Sequence, residues 1–161
     1  MHTIKANNSL GKLEKYKALK PQIKSLLEAE TDLIANLSNF CGALKQTFNW
    51  WWVGFYIVKN NQLVLGPYQG PVACTRINFG KGVCGTVWQQ QQTIIVDDVS
   101  KFPGHIACSE QSKSEIVVPV FHKNKVVAVL DVDSEYYNNF DETDKKQLEY
   151  LVTILNFEPI I

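Results

Sequence analysis

The chain contains no Cys-x-x-Cys pair, and its three histidines, His2, His105 and His122, are scattered. That spacing argues against a metal-ligand set, and no metal is expected. The 16 basic residues are balanced by 16 acidic ones, which leaves no basic footprint for nucleic acid. No apolar run approaches the ~20 residues of a membrane span. The N-terminus lacks the charged-then-apolar pattern of a signal peptide. Gly80-Lys81-Gly82 belongs to neither a dinucleotide fingerprint nor a P-loop. There are no repeats and no low-complexity tracts. These absences point to a cytosolic compartment, where stable structural disulfides are rare. Four cysteines in such a chain lean toward transient redox chemistry.

What is present suits one globular domain. The 161 residues are 45% hydrophobic, enough for a sizeable core. Residues 1–8 read as a frayed terminus. Ser9 to about Phe48 is helical text. Pro21 suits the first turn of a second helix, so a first helix is expected to stop before it. Thr31 or Asp32 can cap a third, whose stripe is Leu33, Leu37, Phe40, Cys41, Leu44 and Phe48. Cys41 lies on that stripe and is read as core.

Trp51 to Val58 reads as a strand, Asn60-Asn61 as a turn and Gln62 to Leu65 as the return strand. Trp52, Gly54 and Tyr56 share one face of the first strand; Trp51, Val53, Phe55 and Ile57 share the other. Gly66 to Ala73 reads as a long connection. A short strand within Cys74–Phe79, a short helix at about Val83–Gln90 and a strand at Thr93–Val96 follow. Asp97-Asp98 reads as turn and capping chemistry. Glu115–Phe121 and Val126–Asp133 form a hairpin. Asp131 and Asp133 are two apart and share a face. A three-residue loop would pair Glu115 with Asp133, and a two-residue loop would turn Glu115 to the other face. Asp141 caps a last helix running to about Phe157, with Leu148, Leu151, Val152 and Leu155 buried. The element order predicts an α+β fold with a mostly antiparallel sheet and helices packed on one face.

The cysteines divide by setting. Cys108 lies in a loop punctuated by Pro103 and Gly104 and flanked by polar residues, the accessible setting that thiol reactivity needs. Cys84 falls in the first turn of a short helix, where the dipole favours a thiolate.

Several stretches in one order carry a family resemblance: Leu-Gly-Pro-Tyr-Gln-Gly (65–70), Ala-Cys-Thr-Arg-Ile (73–77), Phe-Gly-Lys-Gly-Val-Cys-Gly-Thr (79–86), Val-Asp-Asp-Val (96–99), Phe-Pro-Gly-His-Ile-Ala-Cys (102–108), Ser-Glu-Ile-Val-Val-Pro (114–119) and Leu-Asp-Val-Asp-Ser (130–134). From about residue 30 to 155 the chain resembles the free methionine-(R)-sulfoxide reductases, which are stand-alone GAF domains. The resemblance implies a GAF-like sheet with a loop-covered pocket on the face away from the helices. It implies that Cys108 is the nucleophile and that Cys84 and Cys74 resolve or relay the disulfide. Trp52 and Tyr56 would wall the methyl-sulfur end of the substrate, and Glu115, Asp131 and Asp133 would lie near the sulfoxide. One departure is visible: Ser109 follows Cys108 where the family usually carries an acidic residue.

The chemistry asks for these residue types. A thiolate attacks the sulfoxide sulfur while an acid protonates the oxygen. Three neighbouring carboxylates cannot all ionise cheaply, so one holds a proton. Cys108 becomes a sulfenic acid, a second cysteine condenses with it, and thioredoxin, fed by NADPH, resets the thiols. No bound cofactor is required. Cys84 is expected to be the direct partner of Cys108, on its helix position. The rival reading is a non-catalytic GAF sensor of a small molecule; a sensor needs no three-cysteine constellation. A thiol peroxidase is disfavoured by the carboxylates. Apolar residues of the N-terminal helices, Leu10, Leu13, Leu26 and Leu27, suggest a homodimer. A site roofed by the connections at 66–73 and 99–114 would suit the free amino acid over peptides.

Overall fold

The computed structural model describes residues 3–104 and 110–157. It opens with two helices, α1 (Lys12–Glu28) and α2 (Leu33–Phe48). Pro21 does not divide α1, contrary to expectation. The buried stripe Tyr16, Leu19, Ile23 and Leu27 runs straight past it. Pro21 itself is exposed, and so is Lys17, whose carbonyl loses its helical partner. Packing of the stripe then outweighs the roughly 3 kcal/mol that an interior proline costs. Asp32 caps α2, its Oδ1 accepting from the Ala35 N–H at 2.8 Å.

Six strands form one antiparallel sheet: β1 (Trp52–Lys59), β2 (Gln62–Gln69), β3 (Arg76–Asn78), β4 (Ile94–Val96), β5 (Ser114–His122) and β6 (Lys125–Ser134). Their order is β3-β2-β1-β6-β5-β4. The expected connection from Gly66 is thus half strand. β2 runs on to Gln69 after a register shift opposite Gly54 to Tyr56. Pro67 is tolerated because β3 pairs only with Gln62 to Val64, which leaves β2 an edge at the proline.

One face of the sheet carries Val53, Phe55, Ile116, Val118, Leu130 and Val132. These are buried under α1, α2 and α4 (Glu142–Val152). Helix α4 ends five residues before Phe157, short of the expected end, although Leu148, Leu151 and Val152 are buried as expected and Leu155 packs against the core. Its N-terminus is a capping box between Asp141 and Asp144. Asp144, fully buried, also accepts from Tyr16 Oη at 2.8 Å and pairs with Lys12. One carboxylate therefore ties α1 to α4. Lys12 is partly exposed, so water screens its share of the pair, and the buried Tyr16 hydroxyl is the more costly partner to remove.

The other face carries Trp52, Tyr56, Val117 and Val129, packed against Val83, Cys84 and Val87 of α3 (Gly82–Gln90). The N-terminal helices are less free than expected. Leu27 is buried and Leu26 packs on the core, leaving Leu13 the exposed apolar residue of α1. No helix among the described residues is long and apolar enough to cross a membrane.

Candidate active site

Three adjacent strands, β1, β6 and β5, build the floor. Trp52 pairs with Asp133, and Asp133 with Glu115; one row along, Gly54 pairs with Asp131 and Asp131 with Val117. Cross-strand partners share a face, so Trp52, Gly54, Tyr56, Asp131, Asp133 and Glu115 all point to the α3 side. The hairpin reaches this register by a route outside both alternatives. Its loop has two residues, Lys123 and Asn124, with φ of 48° and 62°, the left-handed pair of a tight hairpin turn. His122 pairs with Lys125 and Phe121 with Val126, but Val120 pairs with Ala128. The extra residue, Val127, is a bulge. It shifts every later pair by one and restores Glu115 opposite Asp133.

The aromatic wall is a stack. Trp52 lies 6.0 Å from Tyr56 and 5.3 Å from Tyr68, ring centroid to centroid. The notch at Gly54 is filled by Trp52's own ring: a Cβ there would sit 2.4 Å from Trp52 Cη2 and from Tyr68 Cβ. The indole N–H of Trp52 donates to the Pro71 carbonyl at 3.0 Å, and Tyr56 Oη donates to the Cys74 carbonyl at 3.0 Å. These two bonds fix the segment 71–74 at the cavity rim. Trp51 precedes β1 instead of joining its opposite face, and it lines the cavity as well.

Glu115 and Asp131 are buried, and Asp133 is enclosed beside them. Burial first, and then the charges of Asp131 and Asp133, push the Glu115 carboxyl well above the usual range. Burial and Asp133 do the same to Asp131. Asp133 is raised to about 6 by burial, against a bond donated by the Ser112 hydroxyl. The group therefore holds protons near neutrality, and at least one neutral carboxyl is available as a donor.

Cys84 stands in the first turn of α3 as expected, but its sulfur is enclosed. Burial, followed by Asp131, Glu115 and Asp133, pushes the thiol well up. The carboxylates and the lack of solvent oppose the helix dipole, so the anticipated thiolate is disfavoured. Cys74 is held in a disulfide, whereas Cys41 and Cys84 carry free thiols. Cys41 sits in the core of the opposite face, as expected, and donates to the Pro67 carbonyl at 3.4 Å. Cys108 lies outside the described residues, as do His105 and Ser109.

Gly82, with φ of 59°, turns the chain into α3. Lys81 caps the helix without a side-chain bond. The N–H groups of Gly80 and Lys81 are spent on the Gly85 and Asn78 carbonyls. Those of Gly82, Val83 and Cys84 form the helix N-terminus at the cavity.

The structure thus brings Trp52, Tyr56, Cys84, Glu115, Asp131 and Asp133 around one cavity. Sequence reasoning missed Ser112, Tyr68 and Trp51. Tyr68 was hidden because β2 was read as too short. Ser112 lies in a loop with no period to place it.

The GAF domain family matches residues 30–157. The chain is 57% identical to GAF domain-containing protein A of Dictyostelium discoideum, over 91% of this chain and 93% of that one. It is 41% identical to the free methionine-R-sulfoxide reductase of Escherichia coli, over 91% and 89%. A crystal structure of free methionine-R-sulfoxide reductase from Neisseria meningitidis, in complex with its substrate, superposes with a TM-score of 0.94 at 49% identity, covering 96% of this chain and 93% of that one.

Proposed function

The chain belongs to the GAF-domain family of free methionine-R-sulfoxide reductases, and from that premise we propose that it reduces free L-methionine-(R)-S-oxide to L-methionine with its own cysteines. The observation that carries the reading is the carboxyl cluster of buried Glu115 and Asp131 with half-buried Asp133, lining one cavity with the aromatic wall. A passive sensor pocket gains nothing from three carboxyls that are costly to bury. An enzyme that must protonate a departing oxygen does.

The Cys108 thiolate attacks the sulfoxide sulfur. A neutral carboxyl of the trio gives the oxygen its proton; the new sulfur–sulfur bond and the S–O bond then break as the hydroxyl passes to the Cys108 sulfur, methionine departs, and Cys108 is left as the sulfenic acid. A second thiol displaces water from that sulfenic acid and forms a disulfide. We assign this second role first to Cys74, not to Cys84. Cys74 is already disulfide-bonded, while Cys84 is enclosed with its thiol pushed up. Cys84 is then the relay or the support of the carboxylates. A thioredoxin-class dithiol, kept reduced by NADPH, returns the disulfide to thiols. No bound cofactor takes part. The expected compartment is the cytoplasm.

The methyl-sulfur end packs against Trp52 and Tyr56. The substrate carboxylate takes the N–H groups of Gly82, Val83 and Cys84, an anion site by charge and by unpaired donors. With β2 extending to Gln69, the roof over this end narrows to the segment at 70–75, whose Pro71, Val72 and Ala73 line the cavity. A site roofed in this way suits a free amino acid better than a methionine held by chain on both sides. Free methionine-(R)-sulfoxide should therefore far exceed its N-acetylated, C-amidated form in kcat/KM, and the S epimer should be inert. Equal kcat/KM for free and capped substrates would refute the closed site.

A homodimer belongs to the same reading. It is now carried by Leu13 and Ile34, 42% and 45% exposed on α1 and α2. Light scattering should give twice the 18.3 kDa of one chain, and a monomer at micromolar concentration would count against it.

A further inference from the structure

The corner of the cavity where α3 meets β5 and β6 holds a second chemistry. The Cys84 sulfur, a Glu115 carboxylate oxygen and an Asp131 carboxylate oxygen lie within 4.8 Å of one another, and all three residues are buried. Asp131 Oδ1 is enclosed with no hydrogen-bond partner among the described residues, while the Cys84 thiol and the Glu115 carboxyl bond the Asp131 carboxylate through protons that a cation would displace. A buried acceptor without a partner is costly, so this oxygen is an open coordination point.

We propose that Cys84, Glu115 and Asp131 bind a divalent cation of the zinc class, and that the bound cation excludes the sulfoxide from the same corner and holds the protein inactive. The donor set selects the metal. Zinc accepts one thiolate and two carboxylates together, whereas magnesium and calcium would leave the sulfur unused. With Zn–S about 2.3 Å and Zn–O about 2.0–2.2 Å, tetrahedral ligand atoms stand about 3.3–3.7 Å apart. The observed set, spread over at most 4.8 Å, needs to close by at most about 1.5 Å. The cation displaces the protons that thiol and carboxyls carry. Its fourth position faces the cavity and takes water. The ligands come from three separate elements, which is why no sequence spacing announced them. Cation binding stands apart from the reductase reading; exclusion of the sulfoxide rests on it.

The test uses the full chain, reduced, with Cys74 and Cys108 both changed to serine. Cys41 and Cys84 are then the thiols left, and Cys41 lies in the core of the opposite sheet face. Cobalt(II), a spectroscopic stand-in for zinc, should bind once per chain with a thiolate-to-cobalt absorption band that zinc bleaches. Adding Cys84→Ser should remove the band, Asp131→Asn should weaken cobalt binding at least tenfold, and Cys41→Ser should change neither. Circular dichroism reports folding, and the near-isosteric Asp131→Asn tests the site should Cys84→Ser not fold. No cobalt band, a band that survives Cys84→Ser, or an affinity indifferent to Asp131→Asn overturns the site. In the unmodified protein, zinc should inhibit methionine release competitively with free methionine-(R)-sulfoxide. Non-competitive inhibition, or none, overturns the exclusion. A protein that binds cobalt as described but never releases methionine when metal-free overturns the reductase reading and leaves the cation site standing.

Discussion

Cys108→Ser is expected to release no methionine above a protein-free control, even in a single turnover without reductant. The first step needs a sulfur nucleophile, and a serine hydroxyl near neutral pH cannot replace a thiolate. The other cysteines separate by the step they serve. Cys74→Ser should release close to one methionine per chain and then stall, because the sulfenic acid lacks its direct partner. Cys84→Ser should release one methionine and keep a larger share of thioredoxin-driven turnover than Cys74→Ser. Peptide mapping after one turnover should find Cys74 joined to Cys108. A Cys84–Cys108 bond as the sole product would reverse the order and restore the helix dipole as the deciding influence on Cys84. Substantial release by Cys108→Ser would remove the nucleophile assignment altogether.

Glu115→Gln and Asp131→Asn should each slow the reductive step by about 10²–10⁴-fold, the usual worth of a positioned acid. The amides keep the shape of the carboxyls but hold no transferable proton. The pH dependence follows from the direction of the shifts. Burial and mutual repulsion raise the affinity of Glu115 and Asp131 for a proton, so the active form exists below the raised values. Single-turnover rates in the unmodified protein should fall on an alkaline limb as that proton is lost. Asp133, raised to about 6, ionises first and helps its neighbours keep theirs. Stability runs the same way. A carboxyl whose folded value is raised carries no penalty below the ordinary carboxylate range. The penalty grows with pH and is complete above the folded value. Glu115→Gln removes it, so its Tm should be at least that of the unmodified protein at pH 8. That separates a catalytic defect from an unfolded one. Near-normal single-turnover rates in both amide variants would take the carboxylates out of the mechanism.

Much of this was legible in the residues by themselves. Alternation along Trp52 to Ile57 assigned the two faces of β1, because a pleated strand has a period of two and nothing else competes. Asp131 and Asp133 shared a face for the same reason. The stripes of α2 and α4 and the cap at Asp141 were readable because helix period and capping are local, while the cap of α2 was narrowed only to Thr31 or Asp32. What depended on distant partners was not readable. Whether Pro21 breaks α1 depends on packing against α2 and α4. Whether Glu115 faces Asp133 depends on the bulge at Val127, which leaves no residue signature in a run of valines. Cys84 is the clearest case. Its place in the first turn of a helix is local and argues for a thiolate, but its acidity is decided by burial in the cluster that holds Trp52 and Tyr56 and by carboxylates delivered from β5 and β6. Desolvation and charge act through space, and only the folded chain determines which groups share that space.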